Sequence, residues 1–427
     1  MRGCSVFYLL PNSYPSPIYT VLKLLLPLLL TWIVFDGLAA QPWLCPWVYR
    51  QGFAVTENSG TALTDYQVKL TVAHQIGMKA DFSDLRFTST DGATPLDYWV
   101  EYKIDDTLAH VWVELDSLPA SAATTFYYYY GKPDAINASN GTNTFVFFDD
   151  MDDVLNTWNL LPNTNAASIV QATYQGATVF GKRNDCDPKG GWQSIGTTLD
   201  EFRLIAREAR VDNGPTGCAI NRYGVETSGY NGYGIRRSAD QADTAPKAFG
   251  TEIRNNQSGG STSNVNVPQP RGTFLRTEMT RCAGGNIVAT AWDDAMNLLG
   301  SNARIENTHT GGFDRVCIRG GRDYNVDYMA VGRMTCNEPT VGAPGAVEEK
   351  CPEIALVSKT DDTCQAAQGA VTVQLTDGFP PYTVEWTPGV GSVPSGQTVA
   401  AEGGTATIPG ILGNSTLTIT VKDQCFQ

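Results

Sequence analysis

Histidine is almost missing from this chain, with three residues in 427, and acidic side chains outnumber basic ones by 44 to 30, giving a formal net charge of −14. Such a surface repels phosphate backbones and anionic headgroups, which argues against nucleic acid and membrane surfaces and leaves neutral ligands, cations or basic partners. The strings that short catalytic motifs require are also lacking. There is no Gly-x-Ser-x-Gly elbow, and His74, His110 and His309 are scattered. Gly259-Gly260 and Gly284-Gly285 lack the Lys-Ser/Thr of a phosphate loop and read as turns. A Glu-x-Asp-x-x-Glu string is absent, and the adjacent pairs Asp200-Glu201 and Asp293-Asp294 point to opposite faces of a strand, so no carboxylate pair is set for glycoside hydrolysis. No CxxC or Cys/His spacing suits zinc.

Long apolar runs are scarce too. Leu24 to Phe35, after Lys23 and before Gly37-Leu-Ala-Ala40, reads as the core of an export signal cleaved after Ala39 or Ala40; Pro27 and Asp36 interrupt it as a spanning helix. Residues 1–40 are therefore expected to be removed, with no membrane insertion afterwards and a secreted or cell-surface location. Loss of Cys4 leaves nine of ten cysteines in an oxidising compartment, an odd number, so disulfides form and one thiol stays unpaired.

What the chain has is turn residues, 42 Gly and 23 Pro, between short aromatic or β-branched stretches, the grammar of antiparallel β-structure over several domains. Gly52–Thr56 and Tyr66–Val72 alternate with period two. If residues 105–109 turn the Trp-bearing stretches together, Tyr98, Val100 and Tyr102 lie opposite Leu115, Val113 and Val111, with Val100 near Val113; Trp99, Glu101, Trp112 and Glu114 share the other face. Trp47-Val-Tyr-Arg50, Leu63-Thr-Asp-Tyr-Gln67, Asp84-Leu-Arg-Phe87, Pro95-Leu-Asp-Tyr-Trp-Val-Glu101, Val111-Trp-Val113 and Tyr128-Tyr-Tyr-Gly131 together resemble the domain of unknown function 2341 family. That family has no established activity; the resemblance implies an exported β-sandwich beside lectin-like modules, here residues 41–144. The sequons at Asn137 and Asn140 fall in an exposed connection.

Residues 145–340, from Phe145-Val-Phe-Phe-Asp149 through the Gly-Tyr punctuation at 223–235 to Val326-Asp-Tyr-Met-Ala-Val331, resemble a concanavalin-like jelly roll in layout. Residues 341–352 open on small residues and read as a linker. Residues 353–427 resemble one repeat of the SprB-type adhesins, through Gly378-Phe-Pro-Pro-Tyr-Thr-Val-Glu-Trp386 and Leu417-Thr-Ile-Thr-Val-Lys-Asp-Gln-Cys425. The likeness implies an immunoglobulin-like spacer closed by a Cys364–Cys425 disulfide, with Cys351 a candidate for the odd thiol. The fold expected is all-β: two tandem sandwiches and a small third.

Two constellations carry candidate chemistry. Trp99, Glu101, Trp112 and Glu114 suit a sugar platform, indoles stacking on the pyranose C–H face and carboxylates accepting hydroxyl protons, although large aromatics on a sandwich face are more often buried against a neighbour. Asp149, Asp150, Asp152 and Asp153 offer hard oxygens for calcium, but without the alternating ligand pattern, so a structural start to the second domain is the favoured reading. The function expected is a non-catalytic exported surface protein binding glycan or mediating adhesion. The alternatives are a polysaccharide-degrading enzyme whose catalytic groups lie on loops, or a surface-layer or filament component.

Overall fold

The computed structural model describes residues 7–8, 43–153, 157–161, 169–182, 190–210, 220–238, 247–256, 258–268, 270, 272–320, 324–350, 352–362, 368–388, 396–412 and 416–423. After a two-residue strand β1 (Phe7–Tyr8), the first sandwich comprises β2 (Tyr49–Thr56), β3 (Leu63–Ala73), β4 (Arg86–Thr88), β5 (Pro95–Leu96), β6 (Tyr98–Ile104), β7 (Leu108–Leu118) and β8 (Ala123–Tyr130). A short helix α1 (Gly141–Thr144), capped by the Asn140 side chain on the Asn143 N–H, leads out of it.

The second sandwich comprises β9 (Phe147–Asp149), β10 (Asn159–Leu160), β11 (Ile169–Tyr174), β12 (Ala177–Lys182), β13 (Gly191–Leu199), β14 (Phe202–Arg210), β15 (Ile220–Glu226) and β16 (Gly232–Ser238). It continues with β17 (Lys247–Asn255), β18 (Ser258–Val267), β19 (Phe274–Arg281), β20 (Asn286–Asp293), β21 (Leu298–Ile305), β22 (Phe313–Gly320) and β23 (Tyr324–Gly332). Two strands follow, β24 (Thr340–Pro344) and β25 (Glu348–Glu349), and then the third unit of β26 (Glu353–Thr360), β27 (Gly369–Thr376), β28 (Tyr382–Pro388), β29 (Gln397–Val399), β30 (Thr405–Ile411) and β31 (Leu417–Lys422). The chain is almost entirely β, as its alternating patterns and dense turn residues lead one to expect.

In the first unit the sheet β24-β2-β8-β4-β5 faces β3-β7-β6. Alternation on the two inner faces supplies one core, including Phe53, Val68, Leu70, Phe87, Val111, Phe126 and Tyr128. The tyrosine strand β8 is buried on both sides, because Tyr129 on its outer face receives the Arg50 guanidinium at 3.2 Å and gives its own proton to Gly92 O at 2.7 Å. In the second unit a seven-stranded sheet, β10-β13-β22-β15-β16-β17-β18, faces an eight-stranded one, β11-β12-β23-β14-β19-β20-β21. Between them lies the largest core, with Phe180, Leu204, Tyr223, Ile235, Phe249, Met279, Val316 and Met329 at its heart. The third unit packs β26-β27-β30 against a sheet containing β28, β29 and β31.

Two expectations are corrected. Residues 341–352, read as a linker, contain most of strand β24 (Thr340–Pro344) on the outer edge of β2, with Val55 opposite Val341 and Phe53 opposite Pro344; β25 continues the pairing with Tyr49 opposite Glu349. Small residues do not preclude a strand when a partner edge supplies the hydrogen bonds, and Val341 has a core to pack against. The second sandwich is therefore inserted between strands of the first. The β6–β7 register is also displaced by two residues from the expected one: Val100 lies opposite Val111, Tyr98 opposite Val113 and Trp99 opposite Trp112. Beyond Val100 a bulge shifts the pairing, so Tyr102 faces His110 and leaves the aliphatic face.

Candidate functional site

The outer face of β3-β7-β6 lies against the outer face of the eight-stranded sheet, and all four residues of the expected sugar platform are in that junction. Trp112 is 1% exposed and clusters with Phe145, Ile205, Tyr328 and Ala330, while Trp99 meets Tyr328, Phe148 and Phe145 edge-on at 4.8–5.7 Å between ring centroids. The Glu101 carboxylate, 2% exposed, holds Lys69 Nζ at 2.7 Å and accepts from Trp112 Nε1 at 2.8 Å. Burial pushes its pKa upward, but Lys69 and then Arg276 pull it below the ordinary glutamate value. Glu114 accepts from Gln67 Nε2 at 3.0 Å, and burial raises its pKa. The aromatic face is thus the seal between two sandwiches.

Charge closes the rest of the junction. Arg276 Nη1 donates to Glu101 O at 2.9 Å and to Tyr328 Oη at 2.8 Å. Arg203 pairs with Glu278 at 2.8 Å and with Glu338, with its guanidinium 5.0 Å from the Trp112 ring centroid. Arg207 forms a two-point pair with Asp294 at 2.8 and 2.7 Å and reaches Asp327 at 2.7 Å. Backbone contacts join in: Gln67 Oε1 accepts from Arg333 N–H at 2.9 Å, and Asn58 Nδ2 donates to Glu338 O at 2.7 Å.

Where the two faces diverge they leave a cleft of ≈ 340 Å³. Its first wall is Asp81, Phe82, the bulged Val100–Lys103 segment and the Asn137–Ser139 loop; Arg207 and Arg276 form the other. The bulge makes this wall, since it turns Tyr102 outward, where the ring stacks on His110 at 5.8 Å and lies 5.2 Å from the Arg276 guanidinium. Ser139 Oγ accepts the Val100 N–H at 2.8 Å and so ties the loop to the bulge. Burial, then Lys69, lowers the His110 pKa, keeping the imidazole neutral near pH 7. The cleft thus offers an aromatic ring beside hydroxyl, amide, carboxylate and guanidinium groups. Arg207, Arg276, Tyr102 and His110 were not singled out as site residues from sequence; outward-facing arginines on strands of an acidic chain are the signal that points to the first two.

The aspartates after β9 stand elsewhere. Asp149 accepts from Met151 N–H at 2.7 Å and Trp158 Nε1 at 2.9 Å, and burial raises its pKa; Asp150, Asp152 and Asp153 are exposed. Their oxygens do not converge: among the described residues the one grouping of three ligand-type atoms is Glu201, Cys282 and Cys336, and those cysteines form a disulfide with Cα atoms 5.0 Å apart. Cys317, buried in β22, is a free thiol among the described residues. Cys351, Cys364, Cys425 and nearly all of residues 1–40, expected to be an export signal, lie outside them. Among the described residues, no helix is long and apolar enough to cross a membrane.

Residues 81–160 match the family model described as Domain of unknown function (DUF2341), a span that supports the first-module resemblance and runs across α1 into the second sandwich. An uncharacterised protein of Methanocaldococcus jannaschii is 27% identical over 209 residues, 47% of this chain. The match covers 20% of that protein, so this chain corresponds to about a fifth of the relative's length. Among solved structures, the chain is similar to the carbohydrate-binding module CBM66 from Bacillus subtilis, at 13% identity and a TM-score of 0.27 over 42% of this chain and 93% of that one. It is also similar to a galectin of Caenorhabditis elegans, at 10% identity and a TM-score of 0.25 over 40% of this chain and all of that one.

Proposed function

We propose that the first two sandwiches act together as a non-catalytic glycan-binding unit of an exported surface protein, with the ligand held in the cleft between them and the third unit serving as a spacer. The observation that carries this reading is the cleft itself, placed at a module junction and walled by side chains of both modules. Its volume lies at the lower end of the roughly 300–1,000 Å³ range of small-molecule sites. Its chemistry suits a polyol: the Tyr102 ring offers an apolar face, and Ser139, Asn137 and Asp81 supply polar groups along one wall. Export rests on the hydrophobic run Leu24 to Phe35.

Hydrolysis is the second reading, and one observation favours it. Asp327 and Asp294 flank Arg207 beside the cleft, and burial raises the Asp327 pKa despite that partner, the direction a general acid needs. A glycan array on the full chain, with and without calcium, followed by a reducing-end assay on each bound polysaccharide, separates the two. Binding without product supports the lectin-like role, and release of reducing ends supports hydrolysis. No binding to any glycan would overturn both.

A further inference from the structure

The row of side chains that walls the cleft continues along the sheet past Arg276. Pairing across the eight-stranded sheet sets Arg207 opposite Arg276, Arg276 opposite Trp292 and Trp292 opposite Leu298, four side chains on successive strands of one face. With strands about 4.8 Å apart, Trp292 stands roughly 10 Å from Arg207 along that row. The first sandwich sets a second row beside it, since Tyr102 lies opposite His110 and His110 opposite Thr71. The two faces touch at two points along the rows: Arg276 is 5.2 Å from the Tyr102 ring, and Lys69, two residues before Thr71 on β3, is 5.9 Å from the Trp292 ring.

Trp292 is partly exposed, and Leu298 beyond it is 65% exposed. Along the facing row Thr71 is exposed, and its hydroxyl meets His110 Nδ1 at 3.1 Å. A partly exposed indole on a row that faces a hydroxyl and an imidazole of the other sandwich suits a sugar ring, whose C–H face stacks on the indole while its hydroxyls meet the polar row. A single sugar in the cleft would leave this indole unused.

Resting on the glycan-binding reading, we infer that the site is an extended groove for a linear oligosaccharide, with one sugar in the cleft beside Arg207 and Tyr102 and a later sugar stacked on Trp292. The test is calorimetric titration of cello-, xylo- and chito-oligosaccharides of two to six units into the full chain. For the series that binds, affinity should rise at least tenfold from the shortest to the longest member. Trp292→Ala should abolish the rise while changing binding of the shortest by less than threefold, and Trp292→Phe should keep most of it. A readout independent of any variant is oxidation by N-bromosuccinimide mapped by peptide mass spectrometry: the longest oligosaccharide should protect Trp292 and the shortest should not. Equal affinity for all lengths, or unprotected Trp292, overturns the extended groove and leaves the cleft reading standing. Failure of every series to bind overturns the cleft reading and the groove with it.

Discussion

Glu101 shows how one side chain joins the two halves of the molecule. Its carboxylate sits between Lys69 of its own sandwich and Arg276 of the next, almost without solvent, so removing its charge strands cations in the junction. Glu101→Gln is expected to destabilise the chain by about 3–5 kcal/mol in urea unfolding, the range for breaking a buried pair on one side. The pH dependence has a definite sign. Because the folded-state pKa lies below the unfolded one, this stabilisation is complete above the ordinary glutamate value of about 4.3 and is lost as pH falls through the folded value. Thermal unfolding from pH 7 to pH 3 should show a steeper fall for the parent than for Glu101→Gln; equal slopes would mean the carboxylate is not the linked group. A second residue-scale expectation concerns Trp112, fully buried against Phe145 and under Arg203: Trp112→Ala should cost about 3–5 kcal/mol, measured the same way.

Individual strands show what the sequence made legible. Alternation in Tyr66–Val72, Pro95–Glu101 and Val111–Leu115 marks strands and their two faces, because one side is buried in a sandwich core and the other is not. Alternation says nothing of a bulge, which leaves composition unchanged while flipping every later side chain; Tyr102 is therefore expected on the face of Tyr98 and Val100 and lies instead in the cleft wall. Nor does pattern reveal what covers a face. Trp99 and Trp112 look the same from sequence whether they meet a sugar or the Tyr328 strand, and Arg207 and Arg276, from the other domain, carry no local motif. In the seven-stranded sheet, the demand falls on backbone approach. A Cβ at Gly250 would run into the Ser263 carbonyl of the neighbouring strand, so Gly250→Ala should cost roughly 1–3 kcal/mol in the same assay. An unchanged unfolding midpoint would show that β17 and β18 can separate freely.

At the scale of the whole molecule the inserted topology decides which pieces can stand alone. Residues 43–144 without the second sandwich would expose Trp99 and Trp112 together with the bare edge of β2, two surfaces that promote association. That fragment should aggregate or dimerise in size-exclusion chromatography with light scattering, whereas 43–350 should run as a monomer; a soluble monomeric 43–144 would show that the junction contributes little to folding.

The same splice bears on how the chain is made. Arg50 and Glu348, ion-paired at 2.8 Å, are 298 positions apart, so a nascent chain offers the edge of β2 throughout synthesis of the entire second sandwich. The segment that completes the first sandwich is poorly suited to recruit another strand, since Pro344 lacks an amide donor and Glu348 and Glu349 place charge on the rim. Once β24 and β25 dock, an edge open to every neighbouring chain is replaced by one that discourages further pairing, and synthesis of residues 340–349 becomes the step that makes the first sandwich safe from its own copies.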